Sequence, residues 1–165
     1  MALALVRIDD RLVHGQVVEG WIPHLRAEAV VVASDLAAED ATHVMLMRLA
    51  LPLEIGLEVL PISQAAGHAA LDPSYPKRVL LLAPGPREVL ALLEAGAAFA
   101  EVNVGGLHYT AGRVQLGRAI FLSEEDRRAL REISSRGVRL EGRALPGDDP
   151  LDLLEALGAP GGPNQ

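Results

Sequence analysis

Short, almost continuous apolar runs are the feature that most constrains the fold of this chain. Residues 2–6 read Ala-Leu-Ala-Leu-Val and residues 79–82 read Val-Leu-Leu-Leu, and each run has the length of a strand. Strands that are apolar on both faces are typical of parallel sheets, which are covered on both faces. Segments with helical spacing separate these runs, so strands and helices are predicted to alternate along the chain.

The alternation predicts an α/β fold with a mostly parallel sheet covered by helices on both faces. We expect sheet strands at 2–8, 28–33, 57–60, 78–83, 99–104 and 138–143, and two short strands at 114–116 and 119–122. Helices are expected at 15–25, 35–51, 87–95 and 123–136, and shorter ones from Pro61 and Asp149. Gly105-Gly106 is expected to break the fifth strand and to form a flexible loop that other groups can approach closely.

The length of 165 residues fits a single domain. We assign 1–157 to this domain and 158–165 to a flexible, Gly/Pro-rich tail. The alternating polar pattern of 138–143 is typical of an edge strand, and an antiparallel strand at the edge is compatible with the rest of the sheet. An exposed apolar edge would support a homo-oligomer.

Composition argues against several classes of function. A formal net charge of −7 argues against nucleic-acid binding, which needs an excess of Lys and Arg. The chain has no cysteine, and its five histidines lack the spacing of a helical metal site, so no metal is expected. No apolar run reaches the ~18 residues of a membrane span, and no signal peptide is recognisable, so a cytoplasmic location is expected.

The polar loop after the first strand carries the residues best suited to chemistry. Residues 7–17 read Arg-Ile-Asp-Asp-Arg-Leu-Val-His-Gly-Gln-Val. In α/β folds, ligands bind at the carboxyl ends of strands, and a helix N-terminus suits an anion. His14 lies where the helix begins, Arg11 offers a planar fork of donors, and a nearby acid would fix the imidazole tautomer. These groups fit a histidine that accepts a phosphoryl group, with a salt-bridged surface pair as the alternative.

Three residues elsewhere have simpler interpretations. His108 follows the fifth strand, at the sheet edge that carries His14, and is interpreted as a loop histidine bonded to backbone. Asn103 is expected to brace a neighbouring loop through its amide. Trp21 is expected to lie in the core.

The stretch 7–17 resembles the amino-terminal signature of the mannose/fructose/sorbose family of phosphotransferase-system enzyme IIB components. The resemblance continues in order through 30–35, 61–66, 78–82 and the Glu-Val-Asn-Val-Gly-Gly-Leu-His-Tyr segment at 101–109. It covers the chain from the first strand to Pro146. One departure is Ser34-Asp35, where family members often carry Asn-Asp.

The resemblance implies a phosphocarrier, that is, the IIB subunit of a phosphohistidine–sugar phosphotransferase. His14 would accept a phosphoryl group from a phosphohistidine of a IIA domain and pass it to a sugar bound in the membrane IIC/IID pair. The attacking atom would be Nδ1. The only intermediate is the covalent phosphohistidine, so no cofactor is expected.

The resemblance also assigns roles around His14. Arg11 would neutralise the phosphoryl charge, and Gly15 and Gln16 would offer backbone N–H groups. Asp10 would orient Arg11 or the imidazole. The remaining supporting residues are Asp9, Arg7 and Asp35.

Two alternatives remain open. In the first, the protein would be an orphan carrier that is phosphorylated on His14 but regulates another protein. Or it would be an α/β module that binds a phosphate-bearing ligand noncovalently and needs only Arg11 and the helix N-terminus.

Overall fold

A computed structural model describes residues 2–108, 113–116 and 120–158. The strands are β1 (Leu3–Asp9), β2 (Ala29–Ala33), β3 (Gly56–Leu60), β4 (Val79–Ala83), β5 (Glu101–Gly106), β6 (Val114–Gln115), β7 (Phe121–Leu122), β8 (Arg139–Gly142) and β9 (Leu151–Asp152). Residues 117–119 and the predicted tail after residue 158 lie outside the described part of the chain.

The helices alternate with the strands as predicted. Helix α1 joins a π-helical turn, Val17–Trp21, to an α-helical turn, Ile22–Leu25. The others are α2 (Asp35–Glu39), α3 (Ala41–Ala50), α4 (Ile62–Ala65), α5 (Pro86–Glu94), α6 (Glu124–Ser135) and α7 (Leu153–Gly158), with a 3₁₀ turn at Ala69–Leu71. No helix within the described ranges is both long and apolar enough to cross a membrane.

Seven strands form one sheet in the order β3-β2-β4-β1-β5-β8-β9. All neighbours pair in parallel except β8 and β9, which pair antiparallel, and β6 and β7 form a separate antiparallel pair. One face of the large sheet packs against α4, α5, α6 and α7, and the other packs against α1, α2 and α3. The predicted α/β class, with helices on both faces, is confirmed.

The apolar runs explain this arrangement. Every residue of β4 is buried, and Val31 and Val32 of β2 are buried on opposite faces of the same strand. Alternate side chains of a strand point to opposite faces, so an apolar run of this kind fills two cores at once. The centre of the sheet therefore carries β1, and the carboxyl end of β1 carries the polar loop.

Three predictions about helices and strands are wrong for identifiable reasons. The segment 35–51 forms two helices, because Asp40 is extended and its side chain caps α3 by accepting the N–H of His43 at 3.0 Å. The strand near 138–143 lies inside the sheet, and the edge is β9. The last helix begins at Leu153, because Leu151 and Asp152 pair with β8 first.

The fourth difference concerns Gly105-Gly106, which was expected to break the fifth strand. Both glycines belong to β5 and are buried. A Cβ on Gly105 would lie 1.9 Å from Cζ of Arg7, so the missing side chain leaves the space that the guanidinium occupies. Here glycine serves a close side-chain approach within a strand.

Gly105→Ala is predicted to destabilise the protein by about 3–5 kcal/mol, because the methyl group would displace Arg7 from its buried partners. Urea denaturation followed by circular dichroism measures the change. Gly147→Ala is the matched control, because a Cβ there would meet nothing within 4 Å. An unfolding midpoint for Gly105→Ala equal to that of Gly147→Ala would contradict the prediction.

Candidate functional site

The loop between β1 and α1 is held from both sides. The backbone N–H of Asp10 donates to the carbonyl of Gly106 at 2.8 Å, and the N–H of Leu12 donates to the carbonyl of Asp9 at 3.0 Å. Leu12 is buried with φ 60°, a left-handed conformation that a leucine keeps only where its surroundings hold it. Leu12 is thus fixed in the core, while Arg11 is exposed.

Beneath the loop lies a fully buried ion pair. Nη2 of Arg7 lies 3.1 Å from Oδ2 of Asp9, and neither side chain is exposed. The guanidinium also donates to Oδ1 of Asn103 and to the carbonyls of Arg143 and Ala144, at 2.9 and 3.0 Å. Its Cζ lies 4.7 Å from the centre of the Trp21 ring. Burial lowers the pKa of Arg7 and the charge of Asp9 raises it in part, yet an arginine stays charged in proteins.

Asp9 connects this pair to His14. Its carboxylate accepts from Nε2 of His14 at 2.9 Å and from the backbone N–H of Arg11 at 3.1 Å, besides Arg7. Burial raises the pKa of Asp9, but the hydrogen bond from His14 and the charge of Arg7 together lower it by more than burial raises it. The pKa of Asp9 therefore lies below the ordinary value of 3.8. An ionised carboxylate only accepts hydrogen bonds. The proton of the neutral imidazole therefore sits on Nε2, and Nδ1 keeps its lone pair.

A polar ladder supports Arg7 across three strands. Arg7, Asn103 and Glu141 are direct partners in the parallel register of β1, β5 and β8. The amide of Asn103 accepts from Arg7 and donates to Oε1 of Glu141 at 3.0 Å. Glu141 also binds the guanidinium of Arg143 at 2.9 Å. The prediction that Asn103 braces a neighbouring loop is wrong, because its amide lies within this ladder.

The polar ladder also explains why β8 was mistaken for an edge strand. The polar positions of its alternation are Arg139, Glu141 and Arg143, and of these Glu141 is buried against polar partners and does not face solvent. The strand register identifies Glu141 as the partner of Asn103. The only signal of this in the sequence is the single acid in the strand. Trp21 was predicted as core and is buried, and its Nε1–H donates to the carbonyl of Ala144 at 2.9 Å.

Asp10 has a different partner from the one expected. Its carboxylate accepts from the backbone N–H of His108 at 2.8 Å and bonds Nδ1 of the same residue. Arg113 approaches it at 3.5 Å and donates to the carbonyl of His108 at 2.8 Å. The ring of His108 is thus bonded to a carboxylate, and the prediction that it bonds to backbone is wrong. Asp9, and not Asp10, contacts the imidazole of His14.

The start of α1 lies next to His14. The first intrahelical bond is that from Val18 N–H to the carbonyl of His14, at 2.9 Å, so the N–H groups of residues 15–17 precede it. A Cβ on Gly15 would meet nothing within 4 Å, and Gly15 and Gln16 are exposed. Open space and free amide donors at a helix start suit an anion.

Asp35 lies farther along the same sheet edge. Its Oδ1 accepts the N–H of Ile62 at 2.8 Å, so it joins the loops after β2 and β3. The side chain of Ser34 caps α2 by accepting from Ala37 at 3.1 Å. An open cleft of about 620 Å³ runs from Asp10 past these two residues to Arg87. Asp35 therefore shapes the cleft, and within the described ranges it makes no hydrogen bond or ion pair with His14.

The geometry combines four groups that suit phosphoryl transfer. They are a lone pair on Nδ1 of His14, a fixed carboxylate behind Nε2, the cationic Arg11 and the helix start. Such a set supplies a nucleophile, its orientation and charge stabilisation.

Asp9→Asn is predicted to lower the free energy of unfolding by about 3–5 kcal/mol at neutral pH, because Arg7 would be left buried without its counter-charge. The folded-state pKa of Asp9 lies below 3.8, so its ionised form stabilises the native state above that pH, and this contribution is lost as the pH falls through the folded-state pKa. The difference between wild type and Asp9→Asn should therefore narrow in acid. Urea unfolding from neutral pH to pH about 3 measures it.

The matched control for this series is Asp149→Asn, since Asp149 is exposed. Its difference from wild type should stay small and flat with pH. A difference for Asp9→Asn that widens in acid would contradict the assignment of an ionised Asp9 in the native state.

Comparison with known proteins adds to this geometry. The family model described as "PTS system sorbose subfamily IIB component" matches residues 3–161. The fructose-specific EIIB component of the phosphotransferase system (PTS) of Bacillus subtilis is 34% identical over 95% of this chain and 96% of its own length. The mannose-specific EIIAB component of Escherichia coli is 32% identical over 95% of this chain, which spans only 49% of that relative.

A solved structure agrees with the sequence comparison. The crystal structure of the IIB domain of the sorbose permease from Klebsiella pneumoniae superposes with a TM-score of 0.88 at 30% identity, over 98% of this chain and 99% of that one. The match extends over β1 to α7 and includes the loop of His14. The chain therefore belongs to the sorbose subfamily of phosphotransferase-system IIB components.

Proposed function

We propose that the protein is a phosphocarrier in which Nδ1 of His14 accepts a phosphoryl group and passes it on to a sugar. The observation that carries the proposal is the hydrogen bond from Nε2 of His14 to Asp9, at 2.9 Å. Because Asp9 occupies Nε2, the lone pair lies on Nδ1. No hydrogen bond within the described ranges engages Nδ1, and the His14 side chain is 15% exposed.

The transfer step balances with the groups present. The lone pair of Nδ1 attacks the phosphorus of a donor phosphohistidine, a new N–P bond forms, and the donor nitrogen takes back its electron pair. Nε2 keeps its proton, so the phosphorylated ring is cationic and faces the Asp9 carboxylate. In the second step a sugar hydroxyl oxygen attacks the phosphorus, the N–P bond breaks and Nδ1 recovers its lone pair, while the hydroxyl proton is released to solvent water.

Charge around the phosphoryl group is supplied by few groups. Arg7 and Asp9 form a buried pair and offset each other, so neither adds much net charge at the surface. The exposed guanidinium of Arg11 and the N–H groups of Gly15 and Gln16 then provide the stabilisation. Phosphoryl transfer needs mainly positioning and charge stabilisation, so this small set suffices.

Family membership supports a set of partners for this chain. The mannose-specific relative of Escherichia coli joins A and B components in one chain, which supports a IIA domain as the phosphoryl donor here. The acceptor would be a sugar bound in membrane IIC and IID components. The open start of α1 also suits a noncovalent anion site, and the labelling experiment below separates the two functions.

His14→Ala is predicted to take up no phosphoryl group from a phosphorylated IIA domain, whereas the wild type is labelled. The label should be labile in acid and stable in base, as a phosphoramidate is, and intact-mass spectrometry and radiolabel counting measure it. His24→Ala is the control, because His24 is exposed on α1 and should leave the label unchanged. An unlabelled wild type, beside a donor that labels another IIB protein, would favour the noncovalent anion module.

Arg11→Ala is predicted to slow phosphoryl transfer to His14 about 10²-fold, by loss of charge stabilisation at the transferred group. Arg11→Lys should recover only part of the rate, since a point charge lacks the planar fork of donors. Single-turnover quench measurements give the rate. Arg139→Ala, an exposed arginine on β8, is the matched control. Equal rates for the Arg11 and Arg139 variants would remove Arg11 from the site.

A further inference from the structure

His108 lies at the same sheet edge as His14, and the mechanism above does not use it. Its side chain is 39% exposed, with Nδ1 bonded to Asp10 and Nε2 in contact with Nη2 of Arg11. Both ring nitrogens of an accessible histidine are therefore engaged by residues of the first loop. The ring connects an acid of that loop to its exposed cation.

The tautomer of His108 follows from its neighbours. Asp10 also binds the guanidinium of Arg113, and as a carboxylate it accepts hydrogen bonds. The proton of a neutral ring is then on Nδ1, and Nε2 carries the lone pair. A guanidinium only donates, so Arg11 donates to Nε2 of His108.

Two Asp–His pairs thus stand side by side. Oδ1 of Asp9 and Cε1 of His108 lie 3.0 and 3.2 Å from the point that a Cβ on Gly106 would occupy. Arg11 is held by both pairs: its backbone N–H donates to Asp9, and its guanidinium donates to His108. The position of an otherwise exposed side chain is thereby restricted at both ends.

We propose that His108 is a positioning residue that holds the guanidinium of Arg11 ready for the phosphoryl group on His14. The proposal rests on the phosphocarrier function proposed above. A long arginine loses side-chain entropy when it is immobilised, and holding it beforehand removes that loss from the transfer step. A neutral imidazole is a suitable holder because it accepts the hydrogen bond without cancelling the positive charge, as a carboxylate would.

Asp10 acts one step behind. By bonding both Nδ1 and the backbone N–H of His108, it sets the ring orientation and keeps the lone pair on Nε2. Arg113 donates to the carbonyl of the same residue and fixes the backbone there. The acid next to Asp9 thus serves the cation, while Asp9 serves the nucleophile.

A double-mutant cycle tests whether His108 acts through Arg11. Single-turnover phosphoryl transfer from a phosphorylated IIA domain is measured for wild type, His108→Ala, Arg11→Ala and the double variant. We expect His108→Ala to slow transfer about 10-fold with Arg11 present and less than about 2-fold in the Arg11→Ala background, because contacting residues couple. Equal factors in both backgrounds would overturn the proposal.

Two near-isosteric variants distinguish the two ring nitrogens. The amide oxygen of Gln reaches the place of Nε2 and accepts from Arg11, whereas the amide of Asn reaches only the place of Nδ1 and contacts Asp10. His108→Gln should therefore retain most of the rate, and His108→Asn should resemble His108→Ala. The reverse order would overturn the role of Nε2. Circular dichroism and thermal melts of the variants confirm that each is folded.

A spectroscopic measurement on the unphosphorylated protein tests the holding contact without any transfer. ¹⁵N NMR of the histidine rings should show His108 protonated on Nδ1, and Arg11→Ala should shift its Nε2 resonance. A ring protonated on Nε2, or an Nε2 resonance unchanged by Arg11→Ala, would overturn the proposal. Label on His108 in the His14→Ala variant would also overturn it, in favour of a second phosphoryl acceptor.

Failure of this proposal is separable from failure of the phosphocarrier function. An unlabelled wild type would overturn both. A labelled wild type with independent effects of His108 and Arg11 would overturn the positioning role alone.

Discussion

The buried ion pair of Arg7 and Asp9 is the interaction on which the rest of the site depends. Two charges removed from water persist only with good geometry and further hydrogen bonds. Here the two terminal nitrogens of Arg7 reach Asp9, Asn103 and two backbone carbonyls, and only its Nε has no partner within the described ranges. The glycine of β5 that leaves room for the guanidinium and the segment that follows β8 are both arranged around this one side chain.

The pair also determines the chemistry of the loop above it. Arg7 holds the carboxylate of Asp9 in place and keeps it ionised, so Asp9 fixes the proton of His14 on Nε2. The side chain of a solvent-exposed acid would rotate freely and would leave the tautomer of His14 undetermined. In the proposed phosphocarrier, the field at the phosphoryl group comes from Arg11 and the helix start, because Arg7 and Asp9 offset each other. A structural ion pair thereby becomes part of a site without contacting the transferred group.

Much of this was predictable from the sequence, since apolar runs that fill two cores determine an α/β sheet, and its strand ends determine where a site lies. The different partners of Asp9 and Asp10 were not predicted from the sequence. The period-two alternation of a strand does place Arg7 and Asp9 on one face of β1 and directs Asp10 away from it. Gly105 was misread because a glycine pair usually ends a strand, and only the neighbouring strand reveals the side chain that needs the space. The partners of His108 depend on the register of β1 and β5. One of these partners, Arg11, lies 97 residues away from His108 in the sequence.

The two Asp–His pairs use opposite ring nitrogens, and this difference separates their roles. Asp9 binds Nε2 of His14 and leaves Nδ1 with its lone pair, which is the nucleophile in the proposed phosphocarrier. Asp10 binds Nδ1 of His108 and leaves Nε2, at the far end of the ring, where a long side chain such as Arg11 can reach it. The same acid–imidazole unit thus gives a reactive nitrogen in one place and a neutral hydrogen-bond acceptor in the other. Two adjacent aspartates produce both arrangements, because Asp9 is the last residue of β1 and Asp10 is the first residue of the loop that follows.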